Sequence, residues 1–286
     1  MKSFNERIAL RDETLFDPIP SQTSPEDRRD LLAIIDHVRE RRDYTYLEIG
    51  SHLGGTLQLP YADPRCVALI SIDKRPEAQP DNRGRKCHYD SNSTERMLHN
   101  LRHHYSDVDR HRLRCIDAST DEIEPSSIAE LPDLAFIDGE HTTGAAYRDF
   151  RFCLRISKPD TLIAFHDAWL IESAIKRARA HLARTRTPHN AVLLKGDVYL
   201  ISLGQDNLLP TTSCRSPTET AAYFADARHR LTRERLHNLP DALRNRHPFL
   251  YRIYQSLRSR GLPSLRRLHK PRVSLIKGNT IASMIH

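Results

Sequence analysis

Two clusters of ionisable side chains stand out in this sequence, Asp138-Gly-Glu140-His141 and His166-Asp167. Each ends a short run of apolar residues, Leu134-Ala-Phe-Ile and Leu162-Ile-Ala-Phe. Runs that are apolar at every position read as strands of a parallel sheet buried on both faces. Polar groups at the carboxyl ends of such strands are where open α/β sheets bind their ligands. The two runs flank one helical segment, so their ends are expected to be neighbours, gathering Asp138, Glu140, His141, His166 and Asp167 at one rim. An imidazole titrates near neutral pH and suits a general base. His141 is the first choice for that role and Glu140 the second, against a competing reading in which both cap the following helix. Carboxylates with an imidazole can also hold a divalent ion.

A second group of motifs lies upstream. Glu48-Ile-Gly50-Ser51-His-Leu-Gly54-Gly55 follows an apolar strand, Asp73 ends the next strand, and Asp117-Ala118 ends a third. Glycines in such a turn let the backbone approach a ligand closely, and an acid at the second strand end can accept both hydroxyls of a ribose. The turn is not the GxGxxG of dinucleotide enzymes, because His52 stands in place of the second glycine.

The elements that must position these groups alternate. Ser24-Pro25-Glu26-Asp27 reads as a helix start, with Leu31, Leu32, Ile34, Ile35 and Val38 as its apolar face. Strands are expected at Tyr44–Ile49, Val67–Ile72, Leu113–Ile116, Pro132–Ile137 and Thr161–Phe165. Helices are expected at about 93–105, 144–157 and 171–184. Ala191–Leu194 and Val198–Leu203 read as a hairpin turning at Lys195-Gly-Asp. This alternation predicts an α/β fold with a doubly wound, mostly parallel sheet. Residues 1–23 lack periodicity and read as an arm, and 24–204 as the domain. Residues 205–286 read as a basic extension, helical or partly disordered.

Composition supports that division. The 286 residues carry a net charge of +7. From Asp226 onward fourteen Lys and Arg face three Asp and Glu, a net of +11 that leaves residues 1–225 at −4. The basicity therefore belongs to the tail, which argues against a nucleic-acid binder by charge alone. Five cysteines without metal-site spacing, and no apolar signal region, point to the cytoplasm. Phe249, Leu250, Ile253, Tyr254 and Leu257 recur at helical spacing among arginines. Such a helix packs on the domain or a second subunit, the reading favoured here, or lies on the inner face of an anionic membrane.

Together, Glu48-Ile-Gly-Ser-His-Leu-Gly-Gly, Ser71-Ile-Asp-Lys, Phe136-Ile-Asp-Gly-Glu-His and Phe165-His-Asp resemble class I S-adenosylmethionine-dependent methyltransferases, over roughly residues 24–204. The resemblance is to the bacterial branch of sugar and natural-product O-methyltransferases. It implies a Rossmann-like sheet of seven strands, the last antiparallel. It also implies that Gly50, Ser51 and Gly54 wrap the methionine part of S-adenosylmethionine with Glu48 nearby. Asp73 then binds the ribose, Asp117 and Ala118 the adenine, and Asp138 the cofactor's amino group or a metal. Metal-dependent relatives imply a divalent ion, Mg²⁺ or Mn²⁺, at Asp138, His166 and Asp167. The imidazole there departs from the usual oxygen ligands and makes Mn²⁺ at least as suitable as Mg²⁺.

The expected activity is metal-assisted O-methylation of a sugar, glycan or other small molecule, with a homo-oligomer left open. A nucleic-acid methyltransferase is disfavoured because Ile137-Asp-Gly-Glu replaces the Asn/Asp-Pro-Pro-Tyr/Phe signature of that class. A non-catalytic partner of glycan-assembly enzymes is disfavoured because Glu48, Asp73, Asp117 and Asp138 are all retained.

Overall fold

The computed structural model describes residues 3–106, 108–204, 209, 211–246 and 248–259. In chain order the elements are α1 (Phe4–Ala9), α2 (Pro25–Arg41), β1 (Tyr44–Ile49), α3 (Gln58–Ala62) and β2 (Cys66–Ile72). Next come β3 (Ala78–Pro80), β4 (Lys86–His88), α4 (Thr94–His104), β5 (Leu113–Ile116) and β6 (Leu134–Ile137). The remainder are α5 (Thr143–Arg155), β7 (Leu162–Phe165), α6 (Glu172–Arg184), β8 (His189–Leu193), β9 (Tyr199–Leu203), α7 (Pro217–Arg246) and α8 (Pro248–Ser259).

Seven strands form one sheet in the order β5-β2-β1-β6-β7-β9-β8. The first five are parallel, and β9 runs antiparallel to both its neighbours. This is the expected doubly wound sheet with a closing antiparallel strand. Its register determines the site. Ile116 pairs with Ile72, Ile72 with Ile49, Ile49 with Ile137, and Ile137 with Phe165. The residues just after this line are Asp117, Asp73, Gly50, Asp138 and His166, so four polar side chains and one glycine turn lie along one edge. All four residues of β6 and of β7 are buried, as their unbroken apolar runs require.

Residues 3–23, part of the segment read from the sequence as an arm, contribute side chains to the core. α1 is closed by a Ser3/Glu6 capping box, and Ile8, Leu15, Phe16 and Ile19 are buried in the core on one face of the sheet. Gln58, fully buried, holds this segment. Its amide donates to the carbonyls of Phe16, Ile19 and Gly55, and its Oε1 accepts from the backbone of Ile19 and from Tyr105. A buried amide with all these bonds satisfied stabilises only one placement of the chain.

Two further departures bear on function. The polar stretch between β2 and α4 contains a short antiparallel hairpin, β3–β4. α7 is not an appendage either: Ala227, Tyr223, Phe224 and Leu231 pack on the core of the opposite face. On α8, by contrast, Phe249, Leu250, Ile253 and Leu257 are 42–74% exposed, so that apolar face does not pack on the domain as its spacing led us to expect. The part of the extension after Ser259 lies outside the described residues.

Candidate active site

Gly50 makes the first turn of the site. Its φ is +92°, and a Cβ there would lie 2.3 Å from the carbonyl oxygen of Asp138, so the β1 turn can approach the end of β6 only without a side chain. Gly54 also has positive φ, and a Cβ on it would press on Met97 of α4. Ser51 is buried, its hydroxyl 2.5 Å from that of Ser71. Glu48 is wholly buried. It accepts from Tyr46 and Thr56, and burial pushes its pKa up to about 8 despite those donors.

Asp73 accepts from the backbone N–H groups of His52 and Arg75. The Arg75 guanidinium lies 3.3 Å from the Asp73 carboxylate and 3.4 Å from that of Asp117, and it also bonds to Thr94 and to the carbonyl of His52. One buried arginine thus ties together the two acids expected to bind ribose and adenine. Asp73, Ala118, Gly50 and Glu140 line one cleft with Lys74, Ser119, Gly139 and Asp149. Asp117 is not among its lining residues. A second, adjoining hollow is lined by Gly50, Ser51, His52, Thr56, Tyr89, Asp138 and His141.

Beyond these lies a cavity of about 450 Å³ where Asp138, His141, His166 and Asp167 meet the β3–β4 hairpin. His166 Nδ1 is 2.9 Å from Asp138, and its Nε2 is 3.3 Å from Asp27 of α2. His141 Nε2 lies 3.3 Å from Asp138 and 3.5 Å from Asp167, is buried, and makes no hydrogen bond of good geometry. Burial opposes the charge on both imidazoles, but the surrounding carboxylates outweigh it and raise both pKa values. The same pairing overcomes the desolvation of Asp138 and holds it well below the usual carboxylate range.

The cluster differs in composition from the expected one. Asp138, His141 and His166 bring donor atoms within 4.8 Å of one another. Asp167, expected with them, reaches the group through His141, and its other oxygen accepts from Trp169 Nε1 at 3.1 Å. Glu140 turns to the other cleft, ion-paired with Lys74 at 2.7 Å and accepting from Thr142.

Sequence reasoning missed Asp27, Arg75 and Asn82. Asp27 read as a helix-capping acid and does cap, bonding Ser24, but it also accepts from the N–H of Asp197 and faces His166. Asn82 pins the β3–β4 hairpin over the site by bonding Thr143 and the carbonyl of Leu170. Nothing in their local sequence marks these residues, because each acts across more than forty residues or through a turn with no repeating pattern.

A parallel sheet of this strand order, with a glycine turn after its central strand and acids at the flanking strand ends, defines the class I methyltransferase fold. Residues 47–168 match the family described as a methyltransferase domain. The fold is therefore a Rossmann-like methyltransferase fold, and residues 47–168 of the chain are similar to a methyltransferase domain.

Among solved structures, the O-methyltransferase NovP superposes with a TM-score of 0.53 at 12% identity, over 71% of this chain and 100% of that one. The calicheamicin methyltransferase CalS11 gives 0.49 at 15% identity, over 71% and 92%. TomG, an O-methyltransferase of tomaymycin synthesis from Streptomyces achromogenes solved in complex with SAM, gives 0.44 at 17% identity, over 71% and 90%. At 12% identity the likeness to NovP is one of fold. No curated protein matches the sequence.

Proposed function

We propose that this protein is an O-methyltransferase that transfers the methyl group of S-adenosylmethionine to a hydroxyl of a sugar or other small molecule. The observation that carries the proposal is the juxtaposition of His141, between two carboxylates, with the glycine turn of β1 across one continuous rim. Gly50, Ser51 and Gly54 would take the methionine part of the cofactor, and Asp73 the ribose. Ala118, with its neighbours Ser119 and Thr120, would take the adenine, and Asp117 would support that loop through Thr94 and Arg75.

A sulfonium methyl is already activated, so the protein must align the acceptor oxygen and remove its proton. Asp138 and Asp167 orient the His141 ring and raise its basicity, which suits it to accept that proton as the oxygen attacks the methyl carbon. The methyl–sulfur bond breaks as the new C–O bond forms, and S-adenosylhomocysteine leaves as a neutral thioether. Glu140, neutralised by Lys74 on the cofactor side, is the weaker candidate.

The residues present also fit a divalent ion: two imidazoles and a carboxylate converge, and His141 Nε2 is buried without a hydrogen bond. Asp138, His141 and His166 would hold it with Asp167 alongside, and when bound it would supply positive charge to the developing alkoxide. His141 then serves as ligand, and as base where no ion is held.

Among the described residues no helix is long and apolar enough to cross a membrane. The exposed apolar face of α8, beside its arginines, supports peripheral contact with an anionic surface or a second copy of the chain.

The test is calorimetric titration of S-adenosylmethionine and S-adenosylhomocysteine into wild type and Asp73→Ala, followed by methyl transfer in EDTA and in Mn²⁺. Micromolar binding lost in Asp73→Ala is expected. No binding to folded wild type would sink the proposal. Transfer that survives EDTA but not His141→Ala assigns the base, whereas transfer restored only by metal assigns the ligand set.

A further inference from the structure

The acceptor cleft has a basic far wall that methyl transfer itself does not need. Arg85 and Lys86, on the hairpin, line the cavity that holds Asp138 and His141. Arg85 also lines a second hollow, of about 580 Å³, whose opposite wall is Arg230, Arg233 and His237 of α7. The two hollows share Arg85 as a common wall and are taken together as one trough, from the reacting cluster to the α7 arginines.

The trough is built, not a chance of surface composition. Arg230 stacks 3.8 Å from the centroid of the Trp169 ring, and Trp169 is itself buried and bonded to Asp167. α7 is tied to the hairpin where Arg235 donates to the carbonyl of Asn82 and Asn238 to that of Arg83. The charges facing the trough do not cancel. Asp81 is taken up by Arg83 at 2.6 Å, leaving Arg85 only a 3.5 Å approach to the same carboxylate. On the lining itself the acids are Asp138 and Asp167 of the reacting cluster and Glu234 of α7. Among the described residues no carboxylate pairs with Lys86, Arg230 or Arg233. Several unpaired cations around one hollow favour a ligand of more than one negative charge, and guanidinium forks match phosphate oxygens.

We propose that the acceptor is a phosphate or diphosphate ester, its charged group lying in the trough between the β3–β4 hairpin and α7 while its hydroxyl meets the Asp138/His141 cluster. The inference rests on the acceptor cleft assigned under the proposed function, and extends it to a substrate class. A nucleotide-linked sugar and a lipid-linked glycan share this chemistry. The trough also gives the C-terminal extension a role, since α7 supplies half of the anion site.

The experiment titrates inorganic pyrophosphate and uridine diphosphate into the full-length protein, with and without S-adenosylhomocysteine, in wild type and in an Arg85→Ala/Arg233→Ala variant. Both side chains are exposed, so the variant keeps its melting temperature and its S-adenosylhomocysteine affinity. Wild type is expected to bind both anions, less tightly as salt rises. The variant is expected to bind them about 100-fold more weakly, on the order of tenfold for each guanidinium removed. A parallel arm measures retention on phosphatidylcholine vesicles with and without polyprenyl diphosphate. Retention that needs the diphosphate and is lost in the variant, without binding of the soluble anions, identifies the lipid-linked source. Failure of all three probes, or equal binding by the variant, overturns the proposal. Loss of S-adenosylhomocysteine binding alone would instead remove the methyltransferase reading, leaving the anion result readable.

Discussion

Two residues at the first turn of the site, Gly50 and the buried Glu48, make opposite demands on the fold. Gly50 cannot carry a side chain, because its backbone is left-handed and pressed on the end of β6. Gly50→Ala is expected to cost on the order of 3 kcal/mol and to depress cofactor affinity, as read by thermal unfolding and titration. Retention of both would show that the turn can move away from Asp138. Glu48, beside it, makes stability depend on pH. Its pKa is raised from 4.5 to about 8, so the folded state holds a proton that the unfolded chain gives up. Its stabilising contribution is complete below the unfolded value and is lost as pH rises through the folded one. Asp30, raised by burial to about 7, acts in the same direction. Glu48→Gln is therefore expected to improve stability more at about pH 8 than at about pH 5, measured by denaturant midpoints. An equal effect at both would mean that Glu48 stays ionised when folded.

Among the elements, the β3–β4 hairpin decides whether the site has a roof. Few of its side chains enter the core. Asn82 anchors it instead, bonding Thr143 and Leu170, while its backbone N–H reaches the carbonyl of His141. Asn82→Ala is expected to cost about 1–3 kcal/mol. It should slow methyl transfer more than it weakens S-adenosylhomocysteine binding, since Gln79 is the one hairpin residue that lines the cofactor cleft. A matching loss of cofactor affinity would show that the hairpin is part of the cofactor site instead. The hairpin was illegible in the sequence because three-residue strands carry no alternation to read, whereas β6 and β7 announced themselves by unbroken apolar runs. The helix start at Ser24 was equally plain, and its N-cap forms as read, whereas the same kind of cap at Ser3 was not read.

For the whole molecule the open question is what meets α8. Its exposed Phe249 and Ile253, in a tail of high positive charge, lead us to expect retention on phosphatidylglycerol vesicles that a Phe249→Ser/Ile253→Ser variant loses. Flotation assays would read this directly. Absence of retention, with sedimentation that depends on protein concentration, would assign the face to a second copy of the chain.

The sequence by itself determined the chain order of the seven sheet strands and of the main helices between them, the glycine turn, and the polar groups at four other strand ends. Those follow from local chemistry: apolar periodicity, capping residues and the need for positive φ. Only the tertiary structure decided which of those groups meet. Register placed His141 between Asp138 and Asp167 and sent Glu140 to Lys74. Long-range packing brought Asp27 to His166, buried Ile8, Leu15, Phe16 and Ile19 in the core, and laid α7 against the hairpin. A side chain's partner across the fold is fixed by the summed packing of elements far apart in the chain, and no local pattern encodes that sum.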